Sequence, residues 1–425
     1  MSKNNDNKLV PKLRFPEFKN EEAWSIDQVG NVFDVTRGYV LSMNLVSEMQ
    51  SEITPYPVYS SQTKNNGLAG YYKDYLYEDA ITWTTDGANA GDVNFRKGKF
   101  YCTNVCGVLI NKDGFANPCV AALINSVSRK HVSYVGNPKL MNGVMSKIKI
   151  PFPKIKEQQK IADCLSSLDE FITAESQKLE VLKDHKKGLL QNLLPQAGET
   201  VPKFRFKEFE DSGEWVESSV EGNCLVKGRI GYRGYTTNDL VNQGEGALVL
   251  GGKHIQNQTL DLSDPTYLSW EKYYESPEIM VEIGDIIFSQ RGTLGDCAII
   301  EEEIGPATIN PSMVLLNNIT CNSKFLYYIL IGDRIQNEVK KSKGLGAIPM
   351  LSQKQIREFS FLIPHNLEER QRIASCLSSL DDLITAQNQK LEALQLHKKG
   401  LLQGLFPTLS ETGFTGLKDE KDSKT

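Results

Sequence analysis

"KEQQKIADCLSSLDEFITAESQKLEVLKDHKKGLLQNLLP" (156–195) returns as "EERQRIASCLSSLDDLITAQNQKLEALQLHKKGLLQGLFP" (368–407), and this repeated stretch decides the fold. From Ile161 to Pro195 against Ile373 to Pro407, 25 of 35 positions are identical at a constant offset of 212. Apolar residues fall at Ile161, Leu165, Leu168, Ile172, Leu179, Leu182, Leu189 and Leu193, and again at Ile373, Leu377, Leu380, Ile384, Leu391, Leu394, Leu401 and Leu405. The steps alternate four and three, with Glu175 and Lys186 filling the gaps in the first copy and Gln387 and Lys398 in the second. Such alternation over about five heptads marks a helix with a coiled-coil seam.

A seam needs a partner. At about 1.5 Å per residue each helix is roughly 57 Å long, more than a compact domain can hide. Packing of the two copies on each other is the economical solution; a coiled coil between chains and burial in separate cores are the alternatives. Pro195 and Pro407 should stop the helices, while Gly188 and Gly400 predict bending or an early end, since a mid-helix glycine costs about 1 kcal/mol relative to alanine. Asn366 followed by Glu369 predicts a capping box that the first copy, with Lys154 in the matching place, lacks.

A second repeat widens the frame. "VPKLRFPEFKNEEAW" (Val10 to Trp24) returns as "VPKFRFKEFEDSGEW" (Val201 to Trp215) at an offset of 191, so the chain is two tandem halves. Each is an aromatic lead-in, a globular unit and a long helix, and the second unit is 21 residues longer because the offset grows to 212. Within the units "YEDAITWTTDGANAGD" is similar to "EIGDIIFSQRGTLGD", and "GNPKLMNGVMSKIKIPFP" to "GAIPMLSQKQIREFSFLIP". Short strands broken by Gly, Asn and Pro, with a helix over "FLYYILIGDRIQNEVKK", predict an α+β unit in each half. The segments are 1–153, 154–195 (central helix), 196–364, 365–407 (distal helix) and a polar tail, 408–425.

With 425 residues, 40% hydrophobic and 24% charged, the composition is that of a globular protein with room for two or three cores. No run of 18 apolar residues occurs and the first residues do not form a signal peptide, so a cytoplasmic protein with reduced cysteines is expected. The net charge of −5 is unevenly spread. Residues 96–154 carry ten basic side chains and one acid, residues 334–357 six and one, whereas residues 261–303 hold eleven acids and two bases. Both basic stretches end just before a long helix, where phosphate contacts would position a duplex.

One scaffold with two different polar loop sets suits the reading of two short DNA targets, because base edges are read by paired donors and acceptors. In the first unit the loop candidates are Tyr59, Ser60, Ser61, Gln62, Thr63, Lys64 and Asn65, then Thr84, Thr85, Asp86 and Asn89. Lys97 and Lys139 join them as backbone contacts. In the second they are Lys253, His254, Gln256, Ser289, Gln290, Arg291, Thr293 and Asn310, with Lys340 and Lys343. A solvated turn is the plain alternative for each. Arg291 is the strongest single candidate, since its fork matches the acceptors of guanine.

Taken together, the repeated helices and the divergent units resemble the specificity subunit of a Type I DNA restriction and modification complex. That resemblance implies two target recognition domains separated by two long antiparallel helices in a pseudo-twofold tandem repeat. It also implies a two-part double-stranded DNA target with an unread spacer, two methyltransferase subunits docked on this chain, and two motor-nuclease subunits in the full complex. AdoMet, ATP and Mg²⁺ would belong to those partners, with adenine N6 methylation or cleavage as the outcome and no catalytic residue or metal here. "TAES" at Thr173 and "TAQN" at Thr385 resemble the helix segment whose repetition tunes the spacer in some members.

Two rivals remain. A single-chain methyltransferase would need an Asn/Asp-Pro-Pro-aromatic loop, and the chain has no Pro-Pro pair; a P-loop motor would need a glycine at Ala247 and a hydroxyl at His254. A protein adaptor that ignores DNA is told apart by testing whether the chain prefers one sequence over scrambled DNA.

Overall fold

The computed structural model describes residues 9–61, 64–342 and 349–407. The chain divides into two units, one made of the residues up to Ser176 and from Gln389 on, the other of Gln177–Asn388. Two 39-residue helices, Ile155–Leu193 and Leu367–Leu405, each contribute one half to either unit. Both run through Gly188 and Gly400 without a break, so neither helix ends early at its glycine; the side chain of Asn192 donates to the Gly188 carbonyl at 2.6 Å and supports that last turn. The ends of the apolar seam join the globular cores, Ile161, Leu165 and Leu405 in one unit and Leu193, Ile373 and Leu377 in the other.

In the first unit Ile161, Ala162 and Leu165 share a core with Leu405 and Phe406. Asp169 pairs with Lys398, and Glu175 with Lys390 at 2.6 Å. Residue numbers rise along one helix as they fall along the other, which makes the pairing antiparallel. The second unit repeats it: Leu193 and Leu194 share a core with Ile373, Ala374 and Leu377, and Lys186 meets Asp381 at 2.5 Å. The polar seam residues therefore have a reason. Lys186 and Lys398 sit at matched places and each meets the matched aspartate, a pairing that fixes register where leucines alone would tolerate slippage.

The aromatic lead-ins are latched to the helix starts by a second matched set. Arg14 grips Glu157 with both ends of its fork at 2.7 Å, and Arg205 grips Glu369 at 2.8 Å twice. All four side chains are at most 10% exposed. Glu369 is thereby committed to Arg205, so the expected capping box is only half formed; Asn366 still accepts from the Glu368 amide at 2.8 Å. Backbone bonds from Leu13 to Gly404 and from Phe204 to Asn192, both 2.8 Å, tie each lead-in to the end of a long helix.

The sheet of the first unit orders its strands 34–37, 106–110, 77–84, 93–102, 56–59, 68–72, antiparallel except where 56–59 meets 93–102. Alternation in "AITWT" buries Ile81 and Trp83 on the face covered by the helix Pro118–Ser128. Trp83 lies against Gly107 so closely that an added Cβ there would stand 2.1 Å from the ring, which is why this strand position is glycine.

In the second unit the strands 225–227, 313–317, 286–289 and 297–299 follow the same order as the first four above, and a second sheet holds 240–241, 267–269, 246–250 and 307–309. The helix expected over "FLYYILIGDRIQNEVKK" is two helices, Ser323–Ile331 and Asp333–Ser342, because Gly332 adopts an extended conformation between them. Among the described residues no helix is long and apolar enough to cross a membrane.

Candidate nucleic-acid interface

Each unit presents a loop after its central strand, built on one frame. In the first unit the strand ends at Thr84 and Gly87 turns the chain with φ +96°; in the second it ends at Ser289 and Gly292 turns it with φ +78°. Only glycine enters that region at little cost, so the turn is encoded identically while its neighbours vary. A later segment then zips onto the loop. The Leu140 amide donates to the Thr85 carbonyl at 2.9 Å and the Leu351 amide to the Gln290 carbonyl at 3.0 Å. These contacts place Asp86 beside Lys139 and Arg291 beside Met350, at equivalent bridges in the two units.

The frame sorts the candidates. Thr84 and Thr85 are buried, and Thr85 spends its hydroxyl on Asp86 at 2.7 Å. Ser289 is fully buried with its hydroxyl on the Arg291 carbonyl, and Gln290 is buried with its amide donating to the carbonyl of Pro311 at 2.9 Å. These four hold the loop and are not exposed to a duplex. His254, 1% exposed, is likewise structural: Nδ1 accepts from the Gly251 amide at 2.9 Å, which leaves Nε2 to donate to the Asp264 carbonyl. Burial first, then Lys253, lowers its pKa, so it stays neutral.

Tyr59 stacks under the Arg96 guanidinium at 3.8 Å, and Ser60 accepts from the Thr103 hydroxyl at 3.1 Å. Asn89 donates to the Ser61 carbonyl at 3.0 Å, joining the 59–61 and 84–92 loops. Asn310 accepts from Ser312 and is a turn former. Gln62, Thr63, Lys343 and the 408–425 tail lie outside the described residues, and of Lys64 and Asn65 only the backbone is described.

What remains outward is short. The first unit offers Asp86 and Lys139, whose charged ends are 3.8 Å apart. The second offers Arg291, its Nε 2.9 Å from the Met350 sulfur, with exposed Thr293, Gln256 and Lys253, the last paired with Asp264 at 2.6 Å. Lys340 is exposed on its helix, and Lys97 lines a separate groove of about 1340 Å³ with Lys12, Arg96 and Lys130.

Two arginines have roles that the sequence reading did not assign. Arg96, counted there only as one of the basic run 96–154, is 8% exposed and donates to the Thr82 hydroxyl at 3.0 Å, with burial lowering its pKa, so it is not an outward phosphate contact. Arg229, also 8% exposed, pins the 229–235 loop by bonds to the Ile309 carbonyl and the Thr308 hydroxyl, leaving Tyr232 83% exposed beside Arg233. The alternation of Arg, Gly and Tyr in "GRIGYRGY" was the available signal.

This geometry can read a polar edge and hold it by charge. The family model for the Type I restriction modification DNA specificity domain matches residues 21–184 and 226–396, and the chain belongs to that family. The specificity subunit of the type I restriction enzyme MjaVIII of Methanocaldococcus jannaschii is 25% identical over 93% of this chain and 93% of its own length. The crystal structure of a Type-I restriction-modification system S subunit from M. genitalium superposes with a TM-score of 0.64 at 16% identity, covering 94% of this chain and all of that one. A chain from a structure describing complex assembly of the type I R-M system superposes with a TM-score of 0.52 at 14% identity, over 90% and 97%. These likenesses agree with the α+β class and the tandem repeat.

Proposed function

We propose that this chain is the sequence-reading subunit of a Type I restriction-modification complex, with each unit reading one part of a two-part DNA target. The observation that carries this reading is the shared loop frame. One backbone arrangement presents Asp86 and Lys139 in the first unit and Arg291 and Met350 in the second, so two scaffolds of one design display different donors and acceptors. A carboxylate accepts from cytosine N4 and an ammonium donates to guanine acceptors, whereas a guanidinium forks onto guanine and an apolar side chain suits the thymine methyl.

The basic stretches would set the duplex in place and the loops would discriminate. The chain supplies no chemistry of its own on this reading. Two methyltransferase subunits would bring AdoMet, two motor-nuclease subunits ATP and Mg²⁺, and the assembly would act in the cytoplasm. The antiparallel helices would set the unread spacer.

Long-read methylation mapping in a host with and without this chain tests the proposal. A gapped adenine motif should appear only when the chain and its methyltransferase partner are both present. An unchanged methylome, or methylation by the purified chain alone, would overturn it.

A further inference from the structure

Beside the Asp86 and Lys139 pair stands a hairpin, residues 132–140, whose tip those polar contacts do not use. Its base is fastened at several points. Ser133 and Lys139 exchange backbone bonds of 2.9 Å, the Gly87 amide donates to the Pro138 carbonyl at 3.0 Å, and Trp83 Nε1 donates to the Leu140 carbonyl at 2.9 Å. Val132 and Leu140 anchor both arms in the core. The tip nevertheless displays Tyr134, 69% exposed, and Val135, 92% exposed. With the base fastened, both side chains stand open to solvent at the tip.

Two side chains are too little for a protein interface, which takes about 800 Å² from each partner. The surroundings carry net positive charge: Lys130 is exposed, and Lys139 and Arg129 are paired with Asp86 and Asp92. A small apolar point within a cationic rim is the arrangement by which DNA-binding proteins push between base pairs while gripping the phosphates on either side.

We propose that Tyr134 and Val135 form a wedge that enters the duplex at the half-site read by the first unit and partly unstacks one base step. This rests on the DNA-reading function proposed above and adds a distortion of the target to it. Specificity would then include the ease with which that step opens, so flexible pyrimidine–purine steps would be favoured at a position no polar side chain touches.

The test uses the full chain with its methyltransferase subunits on the duplex defined by methylation mapping, with 2-aminopurine placed in turn at each purine of the first half-site. On binding, one position should brighten by about fivefold while its neighbours and the second half-site stay dark. Tyr134→Ala/Val135→Ala should abolish the brightening and weaken binding to the specific duplex about tenfold, with scrambled DNA bound as before and the thermal unfolding unchanged. Val135→Ile should keep the signal.

The wedge is overturned if the complex prefers its own duplex yet no position brightens, or if brightening survives the double substitution. Loss of methyltransferase subunits from the variant with DNA affinity intact would also overturn it, marking the tip as a protein contact. A complex that does not distinguish its duplex from scrambled DNA would instead sink the DNA-reading function itself, and the wedge with it.

Discussion

Replacing Arg205 by alanine tests how the second unit is held to its helix. The Arg205 fork meets both oxygens of Glu369 at 2.8 Å, and the two side chains are 10% and 1% exposed. Without the arginine, Glu369, 1% exposed, keeps among the described residues the long 3.3 Å bond from Trp215 Nε1. Stranding one partner of a buried pair costs about 3 to 5 kcal/mol, whereas replacing both by apolar side chains of similar volume is often neutral. Arg205→Ala should therefore destabilise the second unit by that amount, and Arg205→Met/Glu369→Met should recover most of it. Urea unfolding followed by hydrogen exchange in the Val216–Ser219 and Ser360–Ile363 strands reads the unit directly. Arg14→Ala should do at least as much harm to the first unit, because Trp24 Nε1 finds no acceptor among the described residues while Trp215 does. A loss below about 1 kcal/mol for Arg205→Ala, or a double variant no better than the single one, would refute the reasoning.

Arg291→Ala should relax one position of one half-site by roughly 1 to 3 kcal/mol and leave the other half-site alone, as read by selection from randomised duplexes; an equal loss on all sequences would make it a phosphate contact. Gly107→Ala drives a methyl into the Trp83 ring at 2.1 Å and should cost at least about 1 to 3 kcal/mol in thermal unfolding; an unaffected melting temperature would mean the strand can shift. Burial raises the Asp285 carboxyl from the usual 3.8 to about 6, so its favourable contribution is present below pH 3.8 and is lost as pH rises through 6. Asp285→Asn should flatten the stability of the second unit across that window, and an unchanged slope would refute it. Inserting four residues after Ser176 adds about 6 Å of helix, close to two base pairs of about 3.4 Å; methylation mapping that shows an unchanged spacer would end the ruler idea.

The long helices were legible because heptad spacing is a local signal, and every seam residue named from it is buried or half-buried. Their continuity through Gly188 and Gly400 was not, since tertiary packing outweighs a loss of about 1 kcal/mol. Polar loops were found by composition, but composition does not separate a side chain that faces solvent from one that fastens the loop. Thr85, Ser289, Gln290 and His254 have the chemistry of readers and are spent inside the protein, Thr85 on the Asp86 carboxylate and the other three on the backbone. Arg14 and Arg205 were in plain view within the lead-in repeat, yet their partners lie 143 and 164 residues away, beyond the reach of any periodicity.

The core of the first unit also imposes an order of events at the ribosome. Trp24, Ile161 and Leu165 share that core with Leu405 and Phe406, which leave the exit tunnel hundreds of residues after Trp24. The first unit must wait, with part of its apolar surface uncovered, until the second helix has been made. The second unit draws its core from a single uninterrupted span, Gln177–Asn388, and can close sooner. A nascent chain that has emerged only as far as Asn388 would carry a complete second unit and an open first one, the kind of exposed surface that chaperones hold.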